Sequence, residues 1–175
     1  MNFQQLIQTD LRGSLVSQNL ISTPFPQCPD LEDLWEDTCQ AYIGDGIREF
    51  TDYPTTSLGW MMYIGMAYAQ WWDQCPEVLA KGAQALYTSL KAARGYDEMD
   101  EYIRQEVLGM NEADYKRCEK IVSTCSARLV SALRRSPAEP GTPEAFRAYV
   151  TCLHELFLCG IAVELKRLGY NMVEA

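Results

Sequence analysis

The chain has 175 residues, of which 47% are hydrophobic and 22% are charged, and its formal net charge at pH 7 is -9. A chain of this length buries about 70% of the surface that it exposes when unfolded, so it needs no disulfide or structural metal to fold. The negative charge opposes a general role in binding nucleic acids or anionic membranes, because those surfaces are themselves negative.

The N-terminal residues indicate where the protein resides. Residues 1–13 have neither a basic start nor a long apolar stretch, so they do not resemble a secretory signal. We therefore expect a cytoplasmic protein, whose cysteines would stay reduced.

Helix-start and helix-stop signals recur along the chain with almost no alternation typical of strands, which predicts an all-α protein. The first predicted helix covers residues 2–21 and is interrupted at Gly13. The second covers residues 30–43, where Gly44 and Gly46 are expected to end it.

The fifteen residues from Leu58 to Trp72 carry no charge and only one strongly polar side chain. A helix that is apolar around its whole circumference must be covered on every side, so this segment predicts a buried central helix over residues of about 55–73. It is shorter than the roughly 20 residues of a membrane span, and neither flank supplies a Lys or Arg to orient it. Gly59 and Gly65 offer places where neighbouring helices can approach closely.

The second half of the chain predicts four more helices, over residues 76–94, 97–108, 112–135 and 143–168. The connection between the last two is short, which predicts a long antiparallel helical hairpin at the end of the chain. The predicted fold is thus a single all-α domain, residues 1–175, built as a helical bundle or irregular array of about six to seven helices around the central helix.

Four cysteines of the last two helices form the most regular pattern in the sequence: Cys118, Cys125, Cys152 and Cys159. In an antiparallel hairpin, Cys118 would lie opposite Cys159 and Cys125 opposite Cys152, at two levels roughly 10 Å apart along the axis. The first interpretation of this cysteine ladder is four small side chains lining a tight helix interface. The second is a pair of interhelical disulfides, which resembles the twin-cysteine helical hairpins, although that family spaces its cysteines more widely.

A zinc site is disfavoured for the same four cysteines, because two levels so far apart cannot present four thiolates to one ion with bonds near 2.3 Å. The sole histidine, His154, points away from Cys152 on a helical projection and is expected at a partly exposed position. Any Ser-His-Asp or Cys-His mechanism would have to use His154, and no nucleophile lies in a recognised flanking motif. Nucleophilic catalysis is therefore not predicted.

Two pairs of carboxylates are candidate ligands of Mg²⁺ or Mn²⁺, which prefer oxygen. Asp33 with Glu36, and Glu98 with Glu101, are spaced i, i+3 and can share a helix face. Two such pairs would be the minimum for a hydrolase acting on phosphoanhydrides. The competing interpretation is that acidic residues stabilise helix N-termini, where the helix dipole is positive.

A basic stripe recurs at helical spacing on the predicted helix 112–135, formed by Arg117, Lys120, Arg128 and Arg135. Such a stripe is usually solvated. It could also receive the first third of the chain, where residues 1–53 hold nine acids against two bases, or an acidic partner.

The preferred functional hypothesis is a non-catalytic module that binds a protein partner or a second copy of itself. Ten tyrosines and four tryptophans provide more aromatic surface than one central helix can hide. We expect no cofactor, no nucleic acid and no membrane. The alternative is a divalent-metal-dependent hydrolase that uses the carboxylate pairs, and an apolar ligand held between helices is a third possibility.

Overall fold

The computed structural model describes residues 1–170, and every regular element in that range is helical. The α-helices are α1 (Phe3–Ser17), α2 (Pro29–Glu32), α3 (Trp35–Asp52), α4 (Pro54–Gln74), α5 (Ala83–Arg94), α6 (Met99–Tyr102), α7 (Glu112–Arg135) and α8 (Pro143–Arg167). Two 3-10 segments, Pro76–Lys81 and Tyr96–Glu98, and one π-helical segment, Ile103–Val107, complete the described secondary structure. The all-α prediction is confirmed.

The predicted central helix is also confirmed, as α4. Nearly every residue from Ser57 to Ala69 is buried, around the full circumference of the helix. Pro54 occupies its first turn, where the missing amide hydrogen costs nothing. The helices α3, α7 and α8 all pack on α4, so its apolar surface is covered by protein on several sides.

The closest helix contact in the described chain is the crossing of α4 and α8, where a glycine of each helix faces the backbone of the other. A Cβ atom added at Gly65 would overlap the carbonyl oxygen of Phe157, and one added at Gly160 would overlap the carbonyl oxygen of Met62. The prediction that glycines of the central run permit close approach therefore holds at Gly65. It holds also at Gly59, where an added Cβ would meet the side chain of Ser126 at 2.9 Å.

The prediction that glycines interrupt the first two helices is wrong. Helix α1 runs through Gly13, and α3 runs through Gly44 and Gly46. A glycine inside a helix costs only about 1 kcal/mol, which tertiary packing readily offsets. At Gly46 the missing side chain is required, because a Cβ there would collide with the rings of Tyr42 and Tyr149.

Breaks occur elsewhere, which raises the number of α-helices above the six to seven predicted. The predicted helix 30–43 is divided between α2 and α3 at Asp33 and Leu34. The predicted helix 76–94 is divided at Gly82, whose φ of 89° is a conformation that glycine tolerates and other residues rarely adopt. At these two breaks the helices end at a turn or at a glycine with positive φ, and the presence of a glycine is not by itself enough to end a helix.

Side chains cap the N-termini of α7 and α8. The Asn111 side chain accepts a hydrogen bond from the Asp114 amide at 2.8 Å, and Thr142 Oγ1 accepts one from the Ala145 amide at 3.2 Å. Both helices pack on α4, and α8 makes a much more extensive contact with α4 than with α7. The antiparallel hairpin of α7 and α8 stays a prediction.

Within residues 1–170, only α8 is long and apolar enough to cross a membrane by length and composition. In that helix 78% of the most apolar window is buried inside the protein, which is typical of a core helix in a soluble protein.

Candidate functional site

The structure does not bring the two predicted carboxylate pairs together as a metal site. Asp33 ends α2 whereas Glu36 lies in the first turn of α3, so the two do not share one helix as the sequence predicts. Glu98 ends a 3-10 segment and Glu101 lies in the short α6. Across residues 1–170, no three His, Cys, Asp or Glu side chains converge in a geometry suited to a metal ion. The first-turn positions of Glu36 and Glu101 fit the helix-dipole interpretation.

The four cysteines of the ladder are all buried, and all seven cysteines of the chain are free. The Cys118 Sγ lies 3.8 Å from the Met66 Sδ on α4, and the Cys159 Sγ lies 3.3 Å from Glu155 Oε2. Burial raises the pKa of Cys118, Cys125 and Cys152 to about 12, and it raises the pKa of Cys159 well above its usual value. These thiols are therefore protonated at neutral pH and are poor nucleophiles. The pairing of cysteines across two levels stays a prediction.

His154 is half-buried and stacks on Trp35, with ring centroids 4.6 Å apart and an interplanar angle of 9°. Burial lowers the pKa of His154, and this effect outweighs the opposing influence of Glu155 and Glu32. Its environment is thus an aromatic contact between α3 and α8 rather than a catalytic cluster.

Two glutamates of α8, Glu155 and Glu164, are almost fully buried, and sequence reasoning missed both. Arg12 on α1 donates two hydrogen bonds to the Glu155 carboxylate, at 2.7 and 2.9 Å. Arg167, one turn after Glu164 on the same helix, donates two hydrogen bonds to the Glu164 carboxylate, at 2.7 and 2.8 Å. Charged groups in such places need partners, and these two are fully engaged within the chain. The first pair fastens α1 to α8.

The basic stripe of α7 is partly neutralised by the chain itself. Arg128 forms an ion pair with Asp10 of α1 at 3.0 Å, and Arg117 lies 3.8 Å from Asp114 on its own helix. The first contact realises, at one position, the predicted attraction between the stripe and the acidic first third. Lys120 and Arg135 make no ion pair with any carboxylate of residues 1–170.

A groove lies beside the start of α1, and we term it the α1–α8 groove. It has a volume of about 1170 Å³ and lies between the start of α1, the end of α7, the loop 136–142 and the start of α8. The apolar residues that line it are Met1, Phe3, Leu6, Ile7, Ala132, Pro137, Ala138 and Ala148.

Helix α1 contributes residues both to the core and to the groove. Ile7, Leu11 and Leu15 are spaced four residues apart and bury one face of α1 against the core. Leu6 lies outside that face and is 53% exposed. The residues that α7 and α8 present to the groove include Ala132 and Ala148, whose small side chains leave the space open.

The charged residues of the groove fall into two groups. Asp10 is paired with Arg128, and Glu144 lies 3.6 Å from Arg147. Arg135 at the end of α7 and Glu139 in the following loop, by contrast, form no ion pair within residues 1–170. Among its charged side chains, the groove therefore has one of each sign without an ion pair in the described part of the chain, set beside an apolar lining.

Sequence reasoning did not identify this groove, although it placed Arg135 in the basic stripe. The signal was present in the first turns of α1, where Phe3, Leu6 and Ile7 are spaced i, i+3, i+4. The sequence could not indicate that the facing positions are alanines, since residues 132 and 148 lie far from α1 in the chain.

No protein-family model, curated protein or solved structure matches this chain. Any functional assignment therefore depends on the geometry and chemistry of the molecule itself.

Proposed function

We propose that this protein is a non-catalytic protein-binding module that takes an amphipathic helix of another polypeptide into the α1–α8 groove. The observation that carries the proposal is an open groove of about 1170 Å³ with an apolar lining. Pockets for small molecules usually measure about 300–1,000 Å³ and enclose most of the ligand. A larger, open groove suits a polypeptide segment better.

The lining indicates the chemistry of the segment. Helices that bind in grooves present apolar side chains at i, i+3, i+4 and i+7, and such a stripe would pack against Phe3, Leu6 and the facing alanines. At the rim, an acidic residue of the segment would pair with Arg135 and a basic residue with Glu139.

One observation supports the proposal that the module is non-catalytic, and a second supports a cytoplasmic location. A cysteine nucleophile reacts as its thiolate, and the buried thiols of Cys118, Cys125 and Cys152, with pKa values of about 12, are protonated. Seven free cysteines suit a reducing compartment, so we place the protein in the cytoplasm.

The proposal is tested by photocrosslinking from inside the groove. A photoreactive amino acid replaces Leu6, and the variant is irradiated in a lysate of its source cells before the crosslinked peptides are sequenced by mass spectrometry. The matched control carries the same amino acid in place of Val16, which is 42% exposed on the same helix but lies outside the groove.

We expect position 6 to crosslink to a small set of segments with an amphipathic helical pattern, and position 16 not to do so. Leu6→Gln should reduce retention of the identified polypeptide, whereas Val16→Gln should not. The same peptides crosslinking at both positions would contradict the proposal.

A further inference from the structure

We infer that the polypeptide received by the α1–α8 groove is a second copy of this chain, docked through a twofold-symmetric interface. This inference rests on the proposed function and names the partner of the same site. It is argued from the distribution of apolar and charged groups around the groove.

The groove and the side chains able to fill it belong to one surface. In a twofold interface the same patch of both copies must be self-complementary. Leu6 and Met1 are 53% and 80% exposed and lie beside the space left by Ala132 and Ala148. Such a patch can offer its exposed apolar side chains to a second copy and receive the equivalent ones in return.

The two charged side chains of the rim that lack an ion pair within residues 1–170 are opposite in sign. Arg135 and Glu139 lie close in the chain, at the end of α7 and in the following loop, and both line the groove. A twofold axis that places Arg135 of one copy opposite Glu139 of the other produces two equivalent ion pairs. No further acid or base is required of the partner, because Asp10 and Glu144 already have their own cations.

A basic protein partner is the main competitor, because each copy carries a net charge of -9 and two copies repel each other at long range. That repulsion is screened beyond about 8 Å at physiological ionic strength, whereas the proposed contacts are local. A partner of net positive charge would not need to place an acidic residue opposite Arg135. A second copy does supply one, Glu139, so the presence of both Arg135 and Glu139 on the rim favours the second copy.

The experiment uses the full chain and charge exchange, with molar mass measured by sedimentation equilibrium. Wild type should be a dimer of about twice the 19.9 kDa chain mass. Arg135→Glu and Glu139→Arg should each raise the dimer dissociation constant at least about tenfold, because each places like charges opposite one another. An equimolar mixture of the two variants should form a heterodimer, and the double variant should dimerise again.

Matched controls show whether an effect is specific to the groove. Arg134→Glu changes an exposed base that adjoins Arg135 in the chain but does not line the groove, so it should leave the dimer intact. Leu6→Gln should weaken the dimer at least about tenfold, and Val16→Gln should not. All these side chains are exposed, so each variant should keep the helical circular dichroism spectrum of wild type, which will confirm that it is folded. The unfolding midpoint does not serve this purpose, because loss of the dimer lowers it by itself.

The outcomes separate this inference from the proposed function. A protein that is monomeric at its highest soluble concentration, but whose position 6 crosslinks to a helix of another protein, overturns the dimer and leaves the proposed function standing. A monomer whose positions 6 and 16 crosslink alike overturns both. A dimer that is insensitive to Leu6→Gln and to charge exchange has its interface elsewhere, and it also overturns the inference.

Discussion

Helix α8 makes two contacts that differ in kind, one with α4 and one with α1. Against α4 the backbones meet at Gly65 and Gly160, where no side chain separates the two helices. Against α1 the contact uses a buried ion pair, Arg12 with Glu155, and ends in the open α1–α8 groove. The comparison shows that small residues close a helix interface only when the facing backbone can advance into the space. Beside α1, Ala132 and Ala148 instead line the open groove.

The largest expected effect comes from breaking the closed contact. Gly65→Leu would place a side chain where the Phe157 carbonyl lies, and neither backbone can move without displacing the core. We expect a loss of at least about 4 kcal/mol in the free energy of unfolding, in the range reached by severe overpacking. Gly44→Leu is the matched control, because an added Cβ there meets nothing within 4 Å. It should change stability little or raise it by about 1 kcal/mol through helix propensity.

Denaturant unfolding of both glycine variants, with midpoint and slope recorded, measures the difference. Equal losses in the two variants would show that helical glycine itself matters rather than the α4–α8 crossing.

The second effect concerns the ion pair that fastens α1. Arg12→Leu would leave the Glu155 carboxylate, which is only 3% exposed, without its cation. Breaking a buried pair costs about 3–5 kcal/mol, and we expect a value near the lower limit because the Arg12 side chain is itself 26% exposed. The control is Arg128→Leu, which breaks the exposed pair between α7 and Asp10 of α1 and should cost about 0–1 kcal/mol.

Hydrogen exchange of the α1 amides, together with the unfolding midpoint, tests this second prediction. If Arg128→Leu loosens α1 as much as Arg12→Leu does, the buried position of the Glu155 pair is not what holds the helix.

Much of the closed part of the molecule could be predicted from sequence, because its causes are local in the chain. An uninterrupted apolar run from Leu58 to Trp72 requires burial whatever its neighbours are, and the caps at Asn111 and Thr142 act within three residues. The glycine breaks at Gly44 and Gly46 were wrongly predicted, since the packing that overrides glycine's low helix propensity comes chiefly from α4 and α5.

The candidate site could not be predicted, because its causes are distant in the chain. Arg12 and Glu155 are 143 residues apart, and either one alone resembles an ordinary surface charge. The groove likewise depends on the position of α1 relative to Ala148, and no periodicity in the sequence indicates that position. The carboxylate spacing that suggested a metal site is, by contrast, a local pattern. Carboxylates spaced i, i+3 are common at helix starts, and their spacing does not indicate whether a second helix supplies further ligands.

The smallest expected effect is a pH dependence at the contact between α3 and α8, where His154 stacks on Trp35. Burial lowers the pKa of His154, with Arg12 acting in the same direction and with Glu155 and Glu32 opposing it. Below the unfolded pKa of about 6.5 the unfolded chain binds more protons than the folded one, so stability is lost as pH falls through this range.

His154→Phe keeps an aromatic ring against Trp35 but removes the titration. We expect the free energy of unfolding of wild type, relative to that of the variant, to decrease from pH 7.5 toward the pKa of folded His154 and to be constant above pH 7.5. Because the carboxylates titrate in both proteins, their contributions cancel in the difference, and a difference independent of pH would show that the stacked imidazole is not held neutral by the fold.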